Sequence, residues 1–317
     1  MESAPPSGSA TSAVIFPGMG PCPFSDVAKF MLVNPAARKL VATADEVLGY
    51  SLVDRFRETE GDYSEYAQVA FLVNCLALAE WAEESIGLRP DLCVGPSFGG
   101  KAVAVYSGAL PFEEAVGMTA RWARALEEYF AVAHRDVVTH SFARTDEDAL
   151  AKILAEFDEQ GEWYDISCRV DHDFHMLSLH ESRLEWLKSR VRSLGGLPLY
   201  TMRPPMHSGA FRPLRDSVEQ DIFADLHFTD PVRPVVADQD GRVLTTGAEV
   251  RAMLLDGFVQ AVQWPDVVTA LKDAGVRKVF VSGPDSLFGR VGVTTRNFEV
   301  VPVNPRLALQ PRRRGAA

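Results

Sequence analysis

The first part of the chain alternates between short apolar runs and longer stretches with helical periodicity. Two β-branched runs, at 13–16 and at Leu92–Val94, each end in a turn rich in glycine and proline, and we expect both to be buried strands. Apolar positions at helical spacing predict helices at 25–31, 36–47, 67–86, 101–106 and 112–130. Strands that alternate with helices in this way predict an α/β fold.

The pattern changes at about residue 137 and returns near residue 204. In between, the periodicity predicts strands at 137–142, 164–170, 173–179 and 197–202, with helices at 146–157 and 181–194. This βαββαβ order is typical of a ferredoxin-like unit. We therefore expect a small ferredoxin-like subdomain at 135–203, inserted into a larger one.

The larger subdomain is expected to comprise residues 13–134 and 204–306. Its second part contains two apolar runs, 234–237 and 278–281, which predict buried strands on either side of a helix around 248–271. Residues 1–12 are rich in Ser, Pro, Gly and Ala and resemble a disordered lead-in rather than a signal peptide. Residues 307–317 are expected to form a solvated tail.

The charge balance and the cysteines exclude several classes of protein. The chain carries 32 lysines and arginines against 43 aspartates and glutamates, a formal net charge of −11. Such a chain is a poor ligand for nucleic acid or for an anionic membrane. The 4 cysteines are scattered without a CxxC pair, which argues against disulfides and a zinc site and favours the cytoplasm. No apolar run is long enough to cross a bilayer.

The run Gly95-Pro96-Ser97-Phe98-Gly99 fits the G-x-S-x-G motif between a predicted strand and a predicted helix. In that context the glycines allow a sharp turn, which presents the hydroxyl of Ser97 as a nucleophile above the sheet. The following helix N-terminus offers N–H groups to a developing oxyanion. From the motif alone, a glycine-rich turn with an incidental serine is an equally good interpretation.

A nucleophilic serine needs a base, and seven histidines are candidates. His207 lies in a loop stiffened by prolines that leaves the predicted small subdomain, which makes it a plausible catalytic base. Asp171-His172-Asp173-Phe174-His175 looks like a metal cluster, but strand alternation would place His172 and His175 on opposite faces. No metal site is expected.

Several motifs in fixed order resemble the malonyl-CoA:acyl-carrier-protein transacylase family. They cover the chain from about residue 14 to residue 303 and are Phe16-Pro17-Gly18-Met19-Gly20, the motif around Ser97, Gln68 with its neighbours, Met206-His207-Ser208, Val262-Gln263-Trp264 and Val281-Ser282-Gly283-Pro284. The resemblance implies an α/β-hydrolase-like core with an inserted ferredoxin-like subdomain.

The resemblance also implies a ping-pong acyl transfer. Ser97 would attack a thioester and become acylated, and His207 would act as general base and then as acid. The oxyanion hole would be formed by the N–H groups of Met19 and Phe98, and a backbone carbonyl near Gly257 would orient His207. No cofactor is expected, because the acyl group arrives on the phosphopantetheine arm of an acyl carrier protein.

Three positions depart from the family pattern, in a site whose expected substrate-binding residues are Gln68, Pro96, Trp122 and Met206. Pro96 replaces a histidine and Met19 a glutamine. Trp122 stands where malonyl-type members place an arginine that grips the substrate carboxylate. Because an indole cannot neutralise a carboxylate, the acyl group is expected to be a neutral or aminoacyl chain and not malonyl or methylmalonyl. The alternative is that Arg121 takes over the role of the missing arginine.

The overall likeness is nearest to the discrete acyltransferases of macrolactam polyketide pathways. Those enzymes move an aminoacyl or dipeptidyl starter between carrier proteins, and this is the favoured function. The alternatives are a malonyl-CoA:acyl-carrier-protein transacylase, a proofreading acyl-carrier hydrolase and a non-catalytic carrier-binding scaffold. Since carrier proteins are acidic, docking requires local basic residues, for which Arg144 and Arg290 are the candidates.

Overall fold

The computed structural model describes residues 12–59, 61–285 and 287–310. The strands are β1 (Ser12–Ile15), β2 (Leu92–Val94), β3 (Val137–Ala143), β4 (Tyr164–Asp171), β5 (Phe174–His180), β6 (Leu197–Met202), β7 (Val235–Val236), β8 (Val243–Leu244), β9 (Val262–Gln263), β10 (Lys278–Ser282) and β11 (Glu299–Val303). The α-helices are α1 (Phe24–Val33), α2 (Pro35–Leu48), α3 (Leu52–Glu58), α4 (Glu65–Ser85), α5 (Gly99–Tyr106), α6 (Phe112–Val132), α7 (Glu147–Glu159), α8 (Leu184–Ser193), α9 (Arg212–Asp221), α10 (Gly247–Asp256), α11 (Trp264–Asp273), α12 (Gly292–Thr295) and α13 (Pro305–Ala308).

A six-stranded sheet with the order β11-β10-β1-β2-β7-β8 forms the centre of the larger part of the protein. Its strands pair in parallel, except that β8 is antiparallel to β7. Strand β1 is buried along its whole length, with Val14 opposite both Phe280 and Cys93. Parallel strands joined by helices give the mixed α/β fold that the hydrophobic pattern predicts.

A second, five-stranded sheet has the order β6-β3-β5-β4-β9. Strands β3 to β6 pair antiparallel with one another, and helices α7 and α8 occur at the predicted places between them. Strand β9 adds parallel to β4, with Cys168 opposite Val262. The sheet therefore draws one strand from outside residues 135–203. Its description as ferredoxin-like, and that of the core as α/β-hydrolase-like, stay predictions.

The single helix predicted around 248–271 is wrong. Helix α10 ends at Asp256, and the N–H of its C-cap, Gly257, donates to the carbonyl of Met253. Helix α11 then begins at Trp264 with a proline in its first turn. Residues Val262–Gln263 are extended because they pair with β4. An apolar run that mixes helical and extended segments has no single period, so periodicity alone does not separate them.

The structure differs from the prediction in two places near the ends of the chain. Ser12 is the first residue of β1 and not part of a lead-in. The expected tail begins within α13, whose N-cap is Asn304, with a side chain that accepts from the N–H of Leu307. The rest of both predicted termini, 1–11 and 311–317, lies outside the described residues. None of the described helices is long and apolar enough to cross a membrane.

Candidate active site

Ser97 lies in the turn between β2 and α5, with a φ of 55°. A Cβ atom at Gly95 would lie 2.2 Å from the carbonyl of Gly99, and one at Gly99 would lie 1.9 Å from the carbonyl oxygen of Phe16. Both glycines are therefore required by close backbone contacts. A non-glycine residue with positive φ is uncommon and costs free energy, and it is typical of a nucleophile held on a sharp turn.

The hydroxyl of Ser97 lies 2.8 Å from Nε2 of His207, which is only 6% exposed. His207 also has a positive φ, of 62°. The next residue anchors it twice, because the N–H of Ser208 donates to the carbonyl of Phe258 and its hydroxyl donates to the carboxylate of Asp165 on β4. The contact joins a serine and a histidine that are 110 residues apart in the chain.

The imidazole of His207 is in its neutral form at ordinary pH. Burial lowers the pKa of His207 to about 4, and the backbone carbonyls of Gly257 and Gln260 oppose this shift only in part. Within the described residues, Nδ1 has no partner at ordinary hydrogen-bond geometry. The two carbonyls that act on the His207 pKa are therefore that of Gly257, which was predicted to orient the ring, and that of Gln260, which the sequence did not suggest.

Asp238 is a further acid at the nucleophile, and no sequence motif points to it. It is buried, and its carboxylate accepts a hydrogen bond of 2.6 Å from the backbone N–H of Ser97. Burial raises the pKa of the Asp238 carboxyl to about 7, against the effect of this hydrogen bond. Asp238 follows β7, so it reaches the turn from the strand next to β2 in the sheet.

The loop after β1 lies against the turn that carries Ser97. A Cβ at Gly18 would lie 3.3 Å from the carbonyl oxygen of Pro96, which shows how closely the two backbones approach. Neither the N–H of Met19 nor that of Phe98 donates to another residue in the described ranges. Both residues line the cavity beside Ser97, so the predicted oxyanion hole of Met19 and Phe98 is compatible with the structure and stays a prediction.

Two cavities meet at the pair of Ser97 and His207. The inner cavity extends between α5, α6 and α10, and its walls include Gln68, Lys101, Trp122, Leu126, Met206, Asp238, Gln239, Met253 and Gly257. The outer cavity extends between the two sheets, and its walls include Gly18, Thr139, Ser141, Cys168, Tyr200, Leu287 and Phe288. Met19, Tyr63, Ser97, Met202 and His207 line both.

Of the four residues expected to bind substrate, three line the inner cavity: Gln68, Trp122 and Met206. The indole of Trp122 stacks on the ring of Phe258, with 4.4 Å between centroids. Pro96 is buried but lines neither cavity; its carbonyl accepts from the N–H of Gly99 within the turn.

The alternative role of Arg121 is wrong. Its guanidinium donates to the carbonyl of Asp221 and lies 3.9 Å from the carboxylate of Asp225 at the surface, so it does not reach the inner cavity. Side chains at adjacent positions of a helix point about 100° apart, and in α6 the side chain that points into the cavity is that of Trp122.

Lys101 is a further residue of this cavity that the sequence motifs did not indicate. It lies in the first turn of α5, is 3% exposed, and places its ammonium against the rings of Phe98 and Trp122. Burial lowers the pKa of the Lys101 ammonium to about 7. A lysine in an otherwise apolar helix was the available sequence signal. Such a lysine either reaches the surface or is buried beside a partner, because lysine is almost never fully buried without one.

The two docking candidates are both exposed, and each follows in the chain a segment that lines the outer cavity. Arg144 directly follows β3, from which Thr139 and Ser141 line that cavity. Arg290 comes two residues after Phe288, and its guanidinium lies 3.9 Å from Asp285. Among the residues that the structure covers, no group of three or more His, Cys, Asp and Glu side chains could hold a metal ion.

Acylation of Ser97 is expected to stay fast well below the ordinary pKa of histidine. A protonated imidazole cannot accept the serine proton, and burial keeps His207 neutral until the pH approaches about 4. Lowering the pH through 6.5 should therefore leave the rate nearly unchanged. Single-turnover acylation by a small neutral thioester between about pH 4.5 and pH 8, followed by intact mass, measures this.

Asp238 and Lys101 both titrate near neutrality, so the same profile should be recorded for Asp238→Asn and Lys101→Met. A step near neutral pH that disappears in either variant belongs to that residue. A step near the ordinary histidine value that persists in the double variant Asp238→Asn/Lys101→Met would show that His207 is not desolvated as described.

Relatives of known activity match almost the whole chain. The chain is 26% identical over 302 residues to the malonyl CoA-acyl carrier protein transacylase of Bacillus subtilis, with 92% of this chain and 93% of the relative covered. The enzyme of the same name from Escherichia coli is 24% identical over 290 residues, with coverage of 90% and 92%. These relatives support the resemblance read from the motifs, and they confirm that the chain is an enzyme of the acyltransferase class.

The fold has close counterparts among solved structures. A type II polyketide synthase malonyl-transacylase, in complex with its acyl-carrier protein, superposes with a TM-score of 0.83 at 21% identity, covering 95% of this chain and 98% of that one. FabD from Acinetobacter baumannii also has a TM-score of 0.83, at 18% identity, with coverage of 95% and 96%. In addition, residues 141–202 match the family model described as the VinK acyltransferase small domain.

Proposed function

We propose that this acyltransferase moves an acyl group from one acyl carrier protein to another through an ester on Ser97. The contact of 2.8 Å between Ser97 and His207, at the junction of two cavities, is the observation that carries the proposal. A relative named for transfer to carrier protein, and a structural neighbour in complex with one, support the choice of partner.

The two cavities suggest how a thioester would lie. The acyl chain occupies the inner cavity and the phosphopantetheine arm the outer one, which places the thioester carbonyl at Ser97. Neutral His207 accepts the proton of the hydroxyl as Oγ attacks, and it returns the proton to the departing thiol sulfur. The N–H groups of Met19 and Phe98 hold the oxyanion. In the second half-reaction, the thiol of the acceptor carrier gives its proton to His207 and attacks the ester carbonyl. His207 returns that proton to Oγ of Ser97 as the bond between Oγ and the acyl carbon breaks.

The acyl group is proposed to carry no carboxylate and to be an aminoacyl or dipeptidyl starter of a macrolactam polyketide. Trp122 lines the inner cavity where an arginine would be needed to grip a carboxylate by two parallel hydrogen bonds, and Arg121 lies outside it. The match of residues 141–202 to the VinK acyltransferase small domain supports an acyltransferase other than a malonyl transacylase.

Intact mass spectrometry of three proteins tests the proposal. The enzyme is mixed with a donor carrier that bears a defined acyl group and with an acceptor carrier in its holo form. We expect the acyl mass to leave the donor, to appear transiently on Ser97 and to arrive on the acceptor. The Ser97→Ala variant should show no acyl-enzyme and no transfer.

Each alternative predicts a different result in this experiment. Loss of acyl mass from the donor without gain on the acceptor would indicate a hydrolase. Full transfer by Ser97→Ala would indicate that the serine is not used. If malonyl-CoA labels Ser97 while uncharged acyl carriers do not, the protein is a malonyl transacylase and the choice of acyl group is wrong.

Charge reversal at the docking candidates should weaken carrier binding and leave the chemistry intact. We expect Arg144→Glu and Arg290→Glu each to raise KM for the carrier by about 5- to 10-fold, because charges at the rim of an interface act on association with an acidic partner. Acylation by a small thioester, which lacks the carrier, should not change. Both are measured by steady-state kinetics at low salt.

Arg57→Glu is the control for this comparison, since Arg57 is an exposed residue of α3 whose side chain pairs with Asp54 and lines neither cavity. An equal rise in KM for all three variants would mean that net charge, and not local docking, sets carrier affinity.

A further inference from the structure

The inner cavity contains one buried cation. Lys101 is the only lysine or arginine among the described residues that line it. Its Nζ lies 4.2 Å from the ring centroid of Trp122 and 4.6 Å from that of Phe98. Its hydrogen bond to Oε1 of Gln68 is long, at 3.4 Å. These three neighbours all line the cavity, so the ammonium is located in the cavity wall.

This ammonium has more donor capacity than the protein uses. A lysine ammonium offers three N–H donors, and the described residues provide one weak acceptor, on Gln68. The rings of Phe98 and Trp122 attract the charge but do not replace the lost water. Burying a cation in this way is costly unless a partner arrives with the ligand.

We propose that Lys101 determines acyl specificity by donating a hydrogen bond to an uncharged carbonyl oxygen within the acyl chain, as found in the amide of a peptidyl group. This inference rests on the proposed function and narrows its substrate from aminoacyl or dipeptidyl groups to those that contain an internal amide. It also assigns to Lys101 a role that the motifs of the sequence give to no residue.

A carboxylate fits the cavity less well than a neutral carbonyl. A carboxylate needs several donors, whereas one carbonyl oxygen needs one or two. The amide of Gln239 already donates to the carbonyl of Met253, at 3.1 Å, and that of Gln68 donates to the carbonyl of Tyr63, at 2.9 Å. Asp238, which lines the same cavity, adds no positive charge for a carboxylate to pair with.

A free amine is disfavoured for the opposite reason, because a protonated amino group beside Lys101 meets a like charge. A chain longer than the cavity still has space. Tyr63, Gln68, Leu126 and Pro204 line the inner cavity and also a neighbouring surface depression. The part of a peptidyl group beyond its amide can therefore extend past these residues towards solvent.

Equilibrium binding to Ser97→Ala tests the role of Lys101 without any transfer reaction. The probes are four pantetheine thioesters: N-acetyl-β-alanyl, a hydrocarbon acyl of equal length, β-alanyl and malonyl. We expect calorimetry at about pH 6.5 to give the amide-bearing thioester about 10- to 100-fold tighter binding than the hydrocarbon, as for a hydrogen bond to a charged donor. In Ser97→Ala/Lys101→Met this ratio should fall to about 1.

The control is Ser97→Ala/Lys152→Met, which removes an exposed lysine of α7 and should keep the ratio. An equal loss of affinity for the amide and the hydrocarbon in the Lys101 variant would reduce Lys101 to a structural role. Tightest binding of the malonyl or the β-alanyl thioester, or no preference before the substitution, would overturn the proposal. Carrier-to-carrier transfer plays no part in this measurement, so the proposed function and the role of Lys101 can fail separately.

Discussion

Replacing His207 with glutamine should lower the single-turnover rate of Ser97 acylation by about 10³- to 10⁴-fold. The serine hydroxyl lies 2.8 Å from Nε2 of His207, and no other titratable side chain is hydrogen-bonded to it among the described residues. Glutamine keeps a polar side chain of similar reach but cannot accept and return a proton at neutral pH. The loss should therefore appear in the rate of acylation and not in the KM for the thioester.

Rapid quenching followed by intact mass measures this rate, and the transfer from acyl-Ser97 to an acceptor thiol should slow by a similar factor, because the same base serves both steps. His172→Gln is the control, since His172 is exposed in the turn between β4 and β5. A loss of less than about tenfold in the His207 variant would mean that another group accepts the proton.

The nucleophile and its base were within reach of sequence reasoning. The motif around Ser97 stands directly after a β-branched run and before an apolar helix, and this local order predicts the strand, turn and helix that the structure contains. The prediction of His207 required more than a local motif, because its distance from Ser97 depends on how the chain returns from the second sheet. The resemblance to a family supplied that connection, and the geometry agrees with it.

The apolar helix around Lys101 marked that residue as unusual, but the contacts that bring Lys101 and Asp238 into the site could not be predicted, for a physical reason. Each acts through contacts between elements that are distant in the chain: α5 against α6 for Lys101, and the end of β7 against the turn of Ser97 for Asp238. Periodicity assigns a residue to an element and a face, but it does not say which element lies opposite. The break between α10 and α11 was missed for the same reason, since only the pairing of β9 with β4 makes that segment extended.

Lys101 also changes the physical argument for an acyl group without a carboxylate. Trp122 in place of an arginine would by itself leave the cavity without a cation, whereas Lys101 places an ammonium 4.2 Å from the ring of Trp122. Lys101 and Trp122 together provide a positive charge in the cavity. They do not provide the planar guanidinium group that binds a carboxylate by two parallel hydrogen bonds. Selectivity then depends on the number of donors, and not on the sign of the charge alone.

Replacing Gly99 with alanine should destabilise the protein by about 3 kcal/mol or more and abolish acylation of Ser97. The new Cβ would lie 1.9 Å from the carbonyl oxygen of Phe16 and 2.8 Å from its carbonyl carbon, both of them backbone atoms of the end of β1. No side-chain rotation relieves such a contact, so the turn of Ser97 and the loop that carries Met19 must separate. The nucleophile and half of the proposed oxyanion hole would move apart.

Urea unfolding and single-turnover acylation measure the two effects, and Gly117→Ala is the matched control. Gly117 lies within α6, where a Cβ would meet only Cγ1 of Val47, at 3.9 Å, so alanine should be neutral or stabilising there because it favours the helix. If Gly99→Ala unfolds at the same urea concentration as the Gly117 variant and still acylates Ser97, the close approach of β1 to the turn is not needed. Loss of both stability and acylation in Gly99→Ala would show that this backbone contact holds Ser97 and the loop of Met19 in one catalytic arrangement.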